Sequence, residues 1–284
     1  MKVGIIGLGL IGGSLGRSIV AKTEHTVYAF DTDIKALKTG KLLKAYHEIL
    51  TDETVKDIDI LFIALYPKTA ILVAKEYASK LKDGALIVDL CGNKRTIVKA
   101  LKEISEEYKN LEYISSHPMA GREFSGIKHS TATLYEKASM ILVPVKADIR
   151  TVAKLKEFCL SIGFGQVVIT TADEHDKIIS YTSQLAHVVS SSYIKSPTAQ
   201  NYLGFSAGSF RDMTRVARLS PEMWTELMVD NKDYLVKEIY CLIDSLTEYA
   251  VALEKGDKTE LFKLLEDGTN KKLSAEKMKN KKIN

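Results

Sequence analysis

Glycines near the amino terminus form the first group of residues in this sequence that points to chemistry. Residues 7–12 read Gly-Leu-Gly-Leu-Ile-Gly, and Asp31 follows Gly12 by nineteen residues. Glycines in this G-x-G-x-x-G spacing permit a tight turn and a close approach of backbone to a pyrophosphate, whose charge the helix N-terminus holds. An acid near this distance hydrogen-bonds the adenosine ribose. The predicted dinucleotide contacts are Gly7, Gly9, Leu10, Ile11, Gly12 and Asp31.

Asp31 also indicates which dinucleotide binds. Its carboxylate suits a ribose with two free hydroxyls and would repel a 2′-phosphate. The next residues, Thr32-Asp33-Ile34, include no arginine that could bind such a phosphate. The sequence therefore predicts NAD rather than NADP as the cofactor.

His117 is the second candidate, in the segment His-Pro-Met-Ala-Gly-Arg-Glu of residues 117–123. A histidine at the carboxyl end of a parallel strand can accept a proton while a hydride leaves the substrate. Its ordinary pKa, about 6.5, makes it a base at physiological pH, and such a base contributes roughly 10²–10⁴ in rate. The alternative is a loop histidine with a structural role beside Pro118.

A third group lies in the second half of the chain. Ser183 and His187 are four residues apart and share one face of a predicted helix. A core histidine and a substrate contact both fit the position of His187.

Arg211 and Arg215 are also four residues apart, and either could bind a carboxylate bidentately or belong to a solvated basic face.

Two familiar catalytic patterns do not apply. Residues 204–208 match the G-x-S-x-G of hydrolases, but the region is predicted to be helical and no histidine follows His187. The sequence contains no HExxH, and its six histidines are scattered. No metal site is predicted.

The segments that must position these residues alternate between strand and helix. Because βαβα order implies a mostly parallel, doubly wound sheet, we expect ligands beyond the carboxyl ends of its strands. The glycine loop, the turn at Leu65–Pro67, and the loops after Asp89 and Ser115 fall at that edge, which makes Leu65 a further cofactor contact. The predicted strands are residues 3–6, 26–30, 59–65, 85–89, 111–115 and 140–143, with helices after residue 12 and at 34–42, from 67, and at 96–108.

From residue 148 the hydrophobic period is mostly helical. Long helices are predicted at 173–194 with Asp173 as its cap, at 223–253 with Pro221 at its first turn, and at 258–265. An apolar helical repeat over 152–162 and a short strand at 166–170 precede them. We predict an α/β dinucleotide-binding domain over 1–147 and an all-helical domain over 148–284. Helices this long and apolar would leave a face uncovered in a monomer, so the helical domain is expected to form a homodimer.

Net charge, cysteine spacing and hydropathy indicate which partners and which cellular compartment to expect. The formal net charge is +4, yet residues 271–284 hold six lysines and one glutamate, which leaves the remainder near neutral. A nucleic-acid partner is therefore not expected, and the lysine-rich end is predicted to be frayed and solvated. Three widely spaced cysteines suit a reducing cytoplasm. The chain begins with a strand and has no apolar run of about twenty residues, so neither signal peptide nor membrane span is expected.

The order of these motifs resembles the prephenate dehydrogenases and the related arogenate dehydrogenases. The resemblance rests on residues 7–14, 117–121, 183–187 and 210–215 and covers nearly the whole chain. It implies a Rossmann-type domain followed by a helical dimerisation domain. It also implies an NAD-dependent oxidative decarboxylation of prephenate, or of arogenate, in tyrosine biosynthesis.

The resemblance further implies roles for single residues. His117 would accept a hydrogen bond or proton from the ring hydroxyl, Arg215 would bind a substrate carboxylate, and His187 would shape the substrate pocket. The other positions that match the neighbourhood of the pocket are Ser183, Glu123, Asp212 and Trp224.

One departure from the family pattern concerns the catalytic histidine. Many relatives carry a serine after the strand that ends at Asp89, and this serine orients the histidine. Here residues 89–94 read Asp-Leu-Cys-Gly-Asn-Lys, so Asn93 becomes the candidate for that task. Two alternatives to the family function are another two-domain hydroxyacid or imine dehydrogenase and a nucleotide-sensing protein without catalysis.

Overall fold

The computed structural model describes residues 1–122 and 124–283, and the chain divides into two compact units, Met1–Asn231 and Lys232–Asn284. The strands are β1 (Lys2–Ile6), β2 (Thr26–Phe30), β3 (Glu48–Ile49), β4 (Ile60–Ile63), β5 (Leu86–Asp89), β6 (Glu112–Pro118), β7 (Ser139–Lys146) and β8 (Gln166–Ile169). The α-helices are α1 (Leu10–Lys22), α2 (Ile34–Leu42), α3 (Pro67–Ala78), α4 (Arg95–Glu107), α5 (Ile149–Ser161), α6 (Ala172–Ile179), α7 (Ala186–Tyr193), α8 (Gly208–Thr214), α9 (Pro221–Asp230), α10 (Lys232–Glu254) and α11 (Lys258–Ile283). Short 3₁₀ turns cover Thr54–Asp57, Ile127–His129 and Pro197–Asn201.

The first unit is built on one sheet with the strand order β3-β2-β1-β4-β5-β6-β7-β8. Neighbouring strands are parallel except for β6 and β7, which are antiparallel. The chain runs outward from β1 to β3 and then crosses back to β4, so the strand order reverses beside β1. The predicted doubly wound fold is confirmed, and such a reversal is where ligands bind in open α/β sheets.

Alternation along the central strands explains why both sheet faces are covered. In β4, Ile60 and Phe62 join the hydrophobic cluster that contains α1 and α5 residues, whereas Leu61 and Ile63 join the cluster that contains α3 and α4 residues. All four side chains are buried. A strand with apolar residues on both faces requires helices on both sides of the sheet.

Strand β6 is longer than the sequence predicted. Its ladder with β7 continues through the pairs of His117 with Ile141 and Pro118 with Met140. The sequence predicts that the strand ends at Ser115 with a loop after it, but the antiparallel partner extends the pairing. His117 therefore lies within the strand, near its carboxyl end, and not after it.

The helix predicted over 173–194 is interrupted. A π-helical turn over Ser180–Leu185 separates α6 from α7. The cap is Thr171, whose hydroxyl oxygen accepts from the Glu174 N–H at 3.2 Å, and not Asp173, which lies in the first turn. Wider turns of this kind change which side chains face inward, and here Gln184 is buried.

The helix predicted over 223–253 ends and restarts at Asn231. The Asn231 side chain is fully buried and donates from its amide to the Asp176 carbonyl oxygen and to Gln184 Oε1, both at 2.9 Å. These hydrogen bonds hold the residue at a non-helical backbone conformation between α9 and α10. Pro221 stands in the first turn of α9, as predicted.

The second unit consists of helices α10 and α11, joined by a turn in which Gly256 has a φ of +63°. The Tyr249 hydroxyl donates to the Leu264 carbonyl oxygen at 3.1 Å and links the two helices. The prediction of a frayed lysine-rich end is wrong, since α11 extends to Ile283. Ion pairs one turn apart favour that helix, as between Lys271 and Asp267 at 2.6 Å.

None of the helices in the described residues is long and apolar enough to cross a membrane. Strand β8, beyond residue 147, pairs with β7 in the sheet of the first unit. The predicted domain boundary at 147/148 stays a prediction.

Candidate active site

The glycine loop between β1 and α1 has the geometry of a phosphate cradle. Gly7 has a φ of +93°, in the left-handed region, and a Cβ there would lie 2.5 Å from the Ala64 carbonyl oxygen. A Cβ on Gly12 would collide with the Gly7 carbonyl oxygen, so α1 starts tightly against the end of β1. At Gly9, by contrast, apart from Gly9 itself and its immediate chain neighbours, the described residues place no heavy atom within 4 Å of the Cβ position. Two glycines close the turn and the third leaves open space, as an approaching pyrophosphate requires.

Asp31 stands beside this loop at the end of β2. Its Oδ2 accepts from the Leu8 N–H at 2.6 Å and its Oδ1 from the Asp33 N–H at 2.8 Å. Leu65 also contacts the loop, because its Cδ2 lies 2.9 Å from the Cβ position of Gly7. Leu10 and Ile11 are the first residues of α1 and are partly exposed. The structure thus brings the predicted cofactor residues together, and their contacts with the cofactor stay a prediction.

His117 lies on the same edge of the sheet and contacts another histidine. Its Nδ1 is 2.9 Å from Nε2 of His175, and Nδ1 of His175 is 2.7 Å from Oδ1 of Asp176. His117 is partly exposed, whereas His175 and Asp176 are 2% and 1% exposed. Burial, and then unfavourable electrostatic interactions with His175 and Lys94, hold the pKa of His117 well below its ordinary 6.5. The imidazole of His117 is therefore neutral at physiological pH.

Asn93 does not hold His117, and that prediction is corrected. Its amide Nδ2 donates to the Leu227 carbonyl oxygen at 2.8 Å and to Asp230 Oδ2 at 3.2 Å. Its Oδ1 accepts from Nε2 of Gln184 at 3.0 Å. These partners direct the Asn93 side chain toward α9 and the π-helical turn, and His175 takes the place beside His117.

A buried ion pair between Lys94 and Asp89 lies against strand β6. Lys94 Nζ donates to Asp89 Oδ1 at 2.6 Å, to Ser115 Oγ at 2.9 Å and to the Ser116 carbonyl oxygen at 2.6 Å. Both charged side chains are at most 1% exposed, and a buried pair of this kind needs such added hydrogen bonds to offset its desolvation. Beside it, burial and the Asp89 charge raise the pKa of the Cys91 thiol well above its ordinary value, so Cys91 is not a nucleophile at neutral pH.

The predicted substrate residues that the structure describes lie on the π-helical turn, on α7, α8 and α9, and directly after α8. Nδ1 of His187 lies 2.8 Å from the Ser183 carbonyl oxygen, and its ring lies 4.0 Å from that of Trp224. Asp212 lies on α8 and Arg215 directly after it, and both are exposed. Glu123 lies outside the described residues. The structure thus brings Ser183, His187 and Trp224 together, and the substrate contacts of the whole set stay predictions.

Sequence reasoning missed His175, Asp176 and Lys94. A signal was present in α6, where His175, Asp176 and Ile179 are buried on one side of the helix. Ionisable residues at core-facing positions are expensive unless they are paired, so they indicate a buried polar site. Among residues 1–122 and 124–283, no group of three or more His, Cys, Asp or Glu residues could hold a metal ion.

Comparison with known families agrees with this arrangement. Residues 15–169 match the model described as prephenate dehydrogenase, nucleotide-binding domain. The chain belongs to the prephenate dehydrogenase family. Residues 171–267 match the second model of that family, its dimerization domain. The resemblance read from the motifs is confirmed, and with it a nucleotide-binding domain in an oxidoreductase family.

Individual relatives are similar along most of their length. A cyclohexadienyl dehydrogenase from Zymomonas mobilis is 27% identical over 282 residues, 96% of this chain and 95% of that protein. A prephenate dehydrogenase from Lactococcus lactis is 29% identical over 279 residues, 94% of this chain and 75% of that protein. The solved prephenate dehydrogenase of Aquifex aeolicus, in complex with hydroxyphenyl propionate and NAD⁺, has a TM-score of 0.81 and 24% identity, covering 97% of this chain and 98% of that one. At that identity the structural likeness shows the fold alone.

Proposed function

We propose that this member of the family is an NAD-dependent prephenate dehydrogenase, which converts prephenate to 4-hydroxyphenylpyruvate in tyrosine biosynthesis. The observation that carries the proposal is His117, whose ring is anchored at Nδ1 on the sheet edge that also bears the glycine loop. A neutral, oriented imidazole at that edge suits removal of a proton from an alcohol during hydride transfer. The family membership supports the same reaction.

The residues around the loop fit NAD. Gly9 leaves room for the phosphates and Asp31 stands at the end of β2, where a carboxylate suits free ribose hydroxyls and disfavours a 2′-phosphate. When bound, NAD supplies the hydride acceptor. The chain's own residues must then handle the proton, the carboxylates and the exclusion of water.

The proposed reaction assigns a task to each of these residues. At the ring carbon that bears the hydroxyl, the C–H bond gives up its electron pair as hydride. The bond to the ring carboxylate breaks, its electrons complete the aromatic ring, and carbon dioxide leaves. His117 accepts the hydroxyl proton as the C–O bond shortens and returns it to the phenol product, so the net proton balance is zero. Arg215 binds a substrate carboxylate, and His187 and Trp224 form a wall of the pocket.

Arogenate is the second candidate substrate, since it differs from prephenate only by an amino group in place of the side-chain keto group. The similarity to a cyclohexadienyl dehydrogenase over nearly the whole chain supports it, because both acids carry a cyclohexadienyl ring. The ring chemistry assigned to His117 is the same for both. Only the contacts with the side chain differ.

We also infer that the protein acts as a homodimer. The matched dimerization domain supports this inference. Within the second unit, α10 exposes several large apolar side chains that are costly to leave in water: Val236, Tyr240, Ile243, Leu246 and Leu253. The cytoplasmic location and the lack of a nucleic-acid partner stay predictions from the sequence.

The test is NADH formation from prephenate and, separately, from arogenate, each with NAD and with NADP. Fast turnover of prephenate with NAD is the expected result. Turnover of arogenate alone would assign the second substrate, and turnover of neither acid by a protein that binds NAD would refute the proposed function. Equal turnover with NADP would refute the role given to Asp31.

A further inference from the structure

Asp176, His175 and His117 form a continuous chain of hydrogen bonds that ends at the proposed base. The three side chains are linked by contacts of 2.7 Å and 2.9 Å. His175 and Asp176 are almost fully buried, whereas His117 is partly exposed. The chain therefore runs from the protein interior to a position that a substrate can reach.

The carboxylate end of this chain determines where the protons lie. Asp176 accepts from the backbone N–H groups of Lys94 at 2.8 Å and Arg95 at 2.9 Å. Although burial acts to raise the pKa of Asp176, hydrogen bonds from His175 and from these two backbone groups outweigh it and lower the pKa. An ionised carboxylate only accepts hydrogen bonds, so Nδ1 of His175 must carry the proton that lies between them.

The position of the proton between His175 and His117 follows from the state of His175. Burial, only partly opposed by Asp176, lowers the pKa of His175, so this ring is neutral and its Nε2 is an acceptor. Nδ1 of His117 must then be the donor across the 2.9 Å contact. We propose that Asp176 and His175 are positioning residues that fix His117 in the tautomer with a proton on Nδ1, leaving Nε2 as the base. This inference deepens the proposed function, on which the meaning of that base rests.

The arrangement also suits the charged form of His117. An imidazolium keeps its Nδ1–H, so the hydrogen bond to His175 persists while Nε2 takes the substrate proton. The negative charge of Asp176 lies two hydrogen bonds away and favours the cation, as the aspartate does in a serine–histidine–aspartate triad. Nearby positive charges are offset, since Lys94 pairs with Asp89 at 2.6 Å and the Arg95 guanidinium contacts Asp176 at 3.4 Å and Asn231 at 2.9 Å.

A buried polar network keeps Asp176 in place. Its backbone carbonyl oxygen accepts from Asn231, whose amide also donates to Gln184. Gln184 in turn donates to Asn93 at 3.0 Å. Because the network joins α4, α6, the π-helical turn and the end of α9, it limits the movement of the carboxylate that sets the tautomer.

A purely structural role is the competing explanation, because Asp176 also binds the N-terminus of α4. Nitrogen NMR separates the structural explanation from the positioning role. The sample is the full-length protein without substrate or cofactor, produced with ring-¹⁵N-labelled histidine. Nitrogen chemical shifts report which ring nitrogen carries the proton, and the His117 signals are those that disappear in His117→Asn. His187 is an internal reference, since its contact with the Ser183 carbonyl oxygen requires a proton on Nδ1.

The expected spectrum shows His117 protonated on Nδ1 alone near pH 7.5. A proton on Nε2, or a mixture of tautomers, would overturn the proposal. This readout needs no turnover, so it stands even if neither prephenate nor arogenate is a substrate. In that event the proposed function fails, but the NMR spectrum still shows which ring nitrogen of His117 carries the proton.

Two substitutions at His175 then test the effect on catalysis. His175→Leu removes the acceptor, and we expect kcat to fall by about 10²–10³-fold, within the range of general-base effects. His175→Gln offers an amide that can donate to Asp176 and accept from His117, and it should recover at least tenfold of that loss. The KM and the Kd for NAD should stay within about threefold of wild type in both variants.

His25→Leu is the matched control. His25 lies just before the amino end of β2, whereas His117 lies near the carboxyl end of β6. The control substitution should leave kcat unchanged. An unaltered kcat in His175→Leu, or equal kcat values for the leucine and glutamine variants, would overturn the proposal. If His175→Leu does not fold, the wild-type spectrum and the glutamine variant still decide it.

Discussion

At the scale of single residues, the proposed reaction depends on keeping the His117 imidazole neutral and aligned. His117 lies where burial and the electrostatic interactions with His175 and Lys94 disfavour its protonated form. Lys94, whose charge acts on this ring, is held by an aspartate, a serine hydroxyl and a carbonyl oxygen. A base that is neutral before the reaction can accept the hydroxyl proton without first losing one to water.

His117→Asn tests that role directly. We expect kcat to fall by about 10²–10⁴-fold, because asparagine cannot accept a proton in this pH range. The Kd for NAD, measured by calorimetry, should remain near wild type, since β6 is separated from β1 by two strands. Loss of NAD binding together with activity would instead identify a structural histidine.

The pH dependence of kcat/KM should follow the lowered pKa of His117. The neutral form is active, so activity is retained as the pH falls below 6.5 and is lost only when the pH passes through the lowered value. The charged or titratable groups around this ring are His175, Asp176, Lys94, Asp89 and Arg95. An acid limb centred at or above pH 6.5, in a rate profile measured from pH 5 to 9, would contradict the assignment.

Arg215 and Arg211 form a pair that distinguishes a substrate contact from a basic surface. Arg215→Ala should raise the KM for the substrate by roughly 10–100-fold, because a charge-assisted bidentate contact contributes about 1.5–3 kcal/mol. Arg211→Ala, one helical turn earlier, should leave KM within about twofold. Steady-state assays with the preferred acid measure both, and the opposite ranking would move the carboxylate contact to Arg211.

At the scale of elements, the β1–α1 loop shows how glycines with different surroundings serve one site. Gly12 lies where any side chain would meet the Gly7 carbonyl oxygen, whereas the Cβ position of Gly9 is open. Gly9 has a φ of −77°, which alanine adopts readily. Substitutions at the two positions should therefore affect different properties of the protein.

Gly12→Ala should destabilise the fold, and Gly9→Ala should weaken the cofactor site. For Gly12→Ala we expect the free energy of unfolding to fall by about 1–3 kcal/mol, as in other overpacked positions. For Gly9→Ala the melting temperature should change little, while the Kd for NAD should rise at least tenfold, about 1.4 kcal/mol. Thermal unfolding and calorimetry on both variants provide the comparison. A Gly9→Ala protein with unaltered NAD affinity would exclude close contact of that backbone with the phosphates.

At the scale of the whole molecule, the exposed apolar side chains of α10 bear on oligomeric state. Tyr240 is 64% exposed, Ile243 48% and Leu246 59%. Their helix belongs to the segment that matches a dimerization domain. Burial between two copies would remove these side chains from water, which stabilises association.

Light scattering should therefore give a mass twice that of the 31.5 kDa chain. Tyr240→Glu should shift the equilibrium toward monomer, because a charge would be placed in an apolar contact. Lys237→Glu, on the same helix but at an already charged and exposed position, should not. A monomer mass for the wild-type protein, or equal dimer dissociation in the two variants, would contradict the inference.

The sequence by itself determined the parts of this protein that depend on local pattern. The glycine spacing, the acid at the end of β2 and the alternation of strands with helices predicted the nucleotide-binding sheet, and β2 and α2 have the predicted bounds. The position of His117 near the end of a strand was likewise predicted, since periodicity and turn chemistry act over a few residues.

Tertiary structure decided what surrounds the proposed base. His175 is 58 residues from His117 along the chain, and no periodicity connects them. Asn93, close in sequence to the site, bonds instead to residues of α9 and the π-helical turn. The helix break at Asn231 has the same origin, because it follows from hydrogen bonds to Asp176 and Gln184. Such contacts form only when distant elements pack together, and they then outweigh the local preference for an unbroken helix.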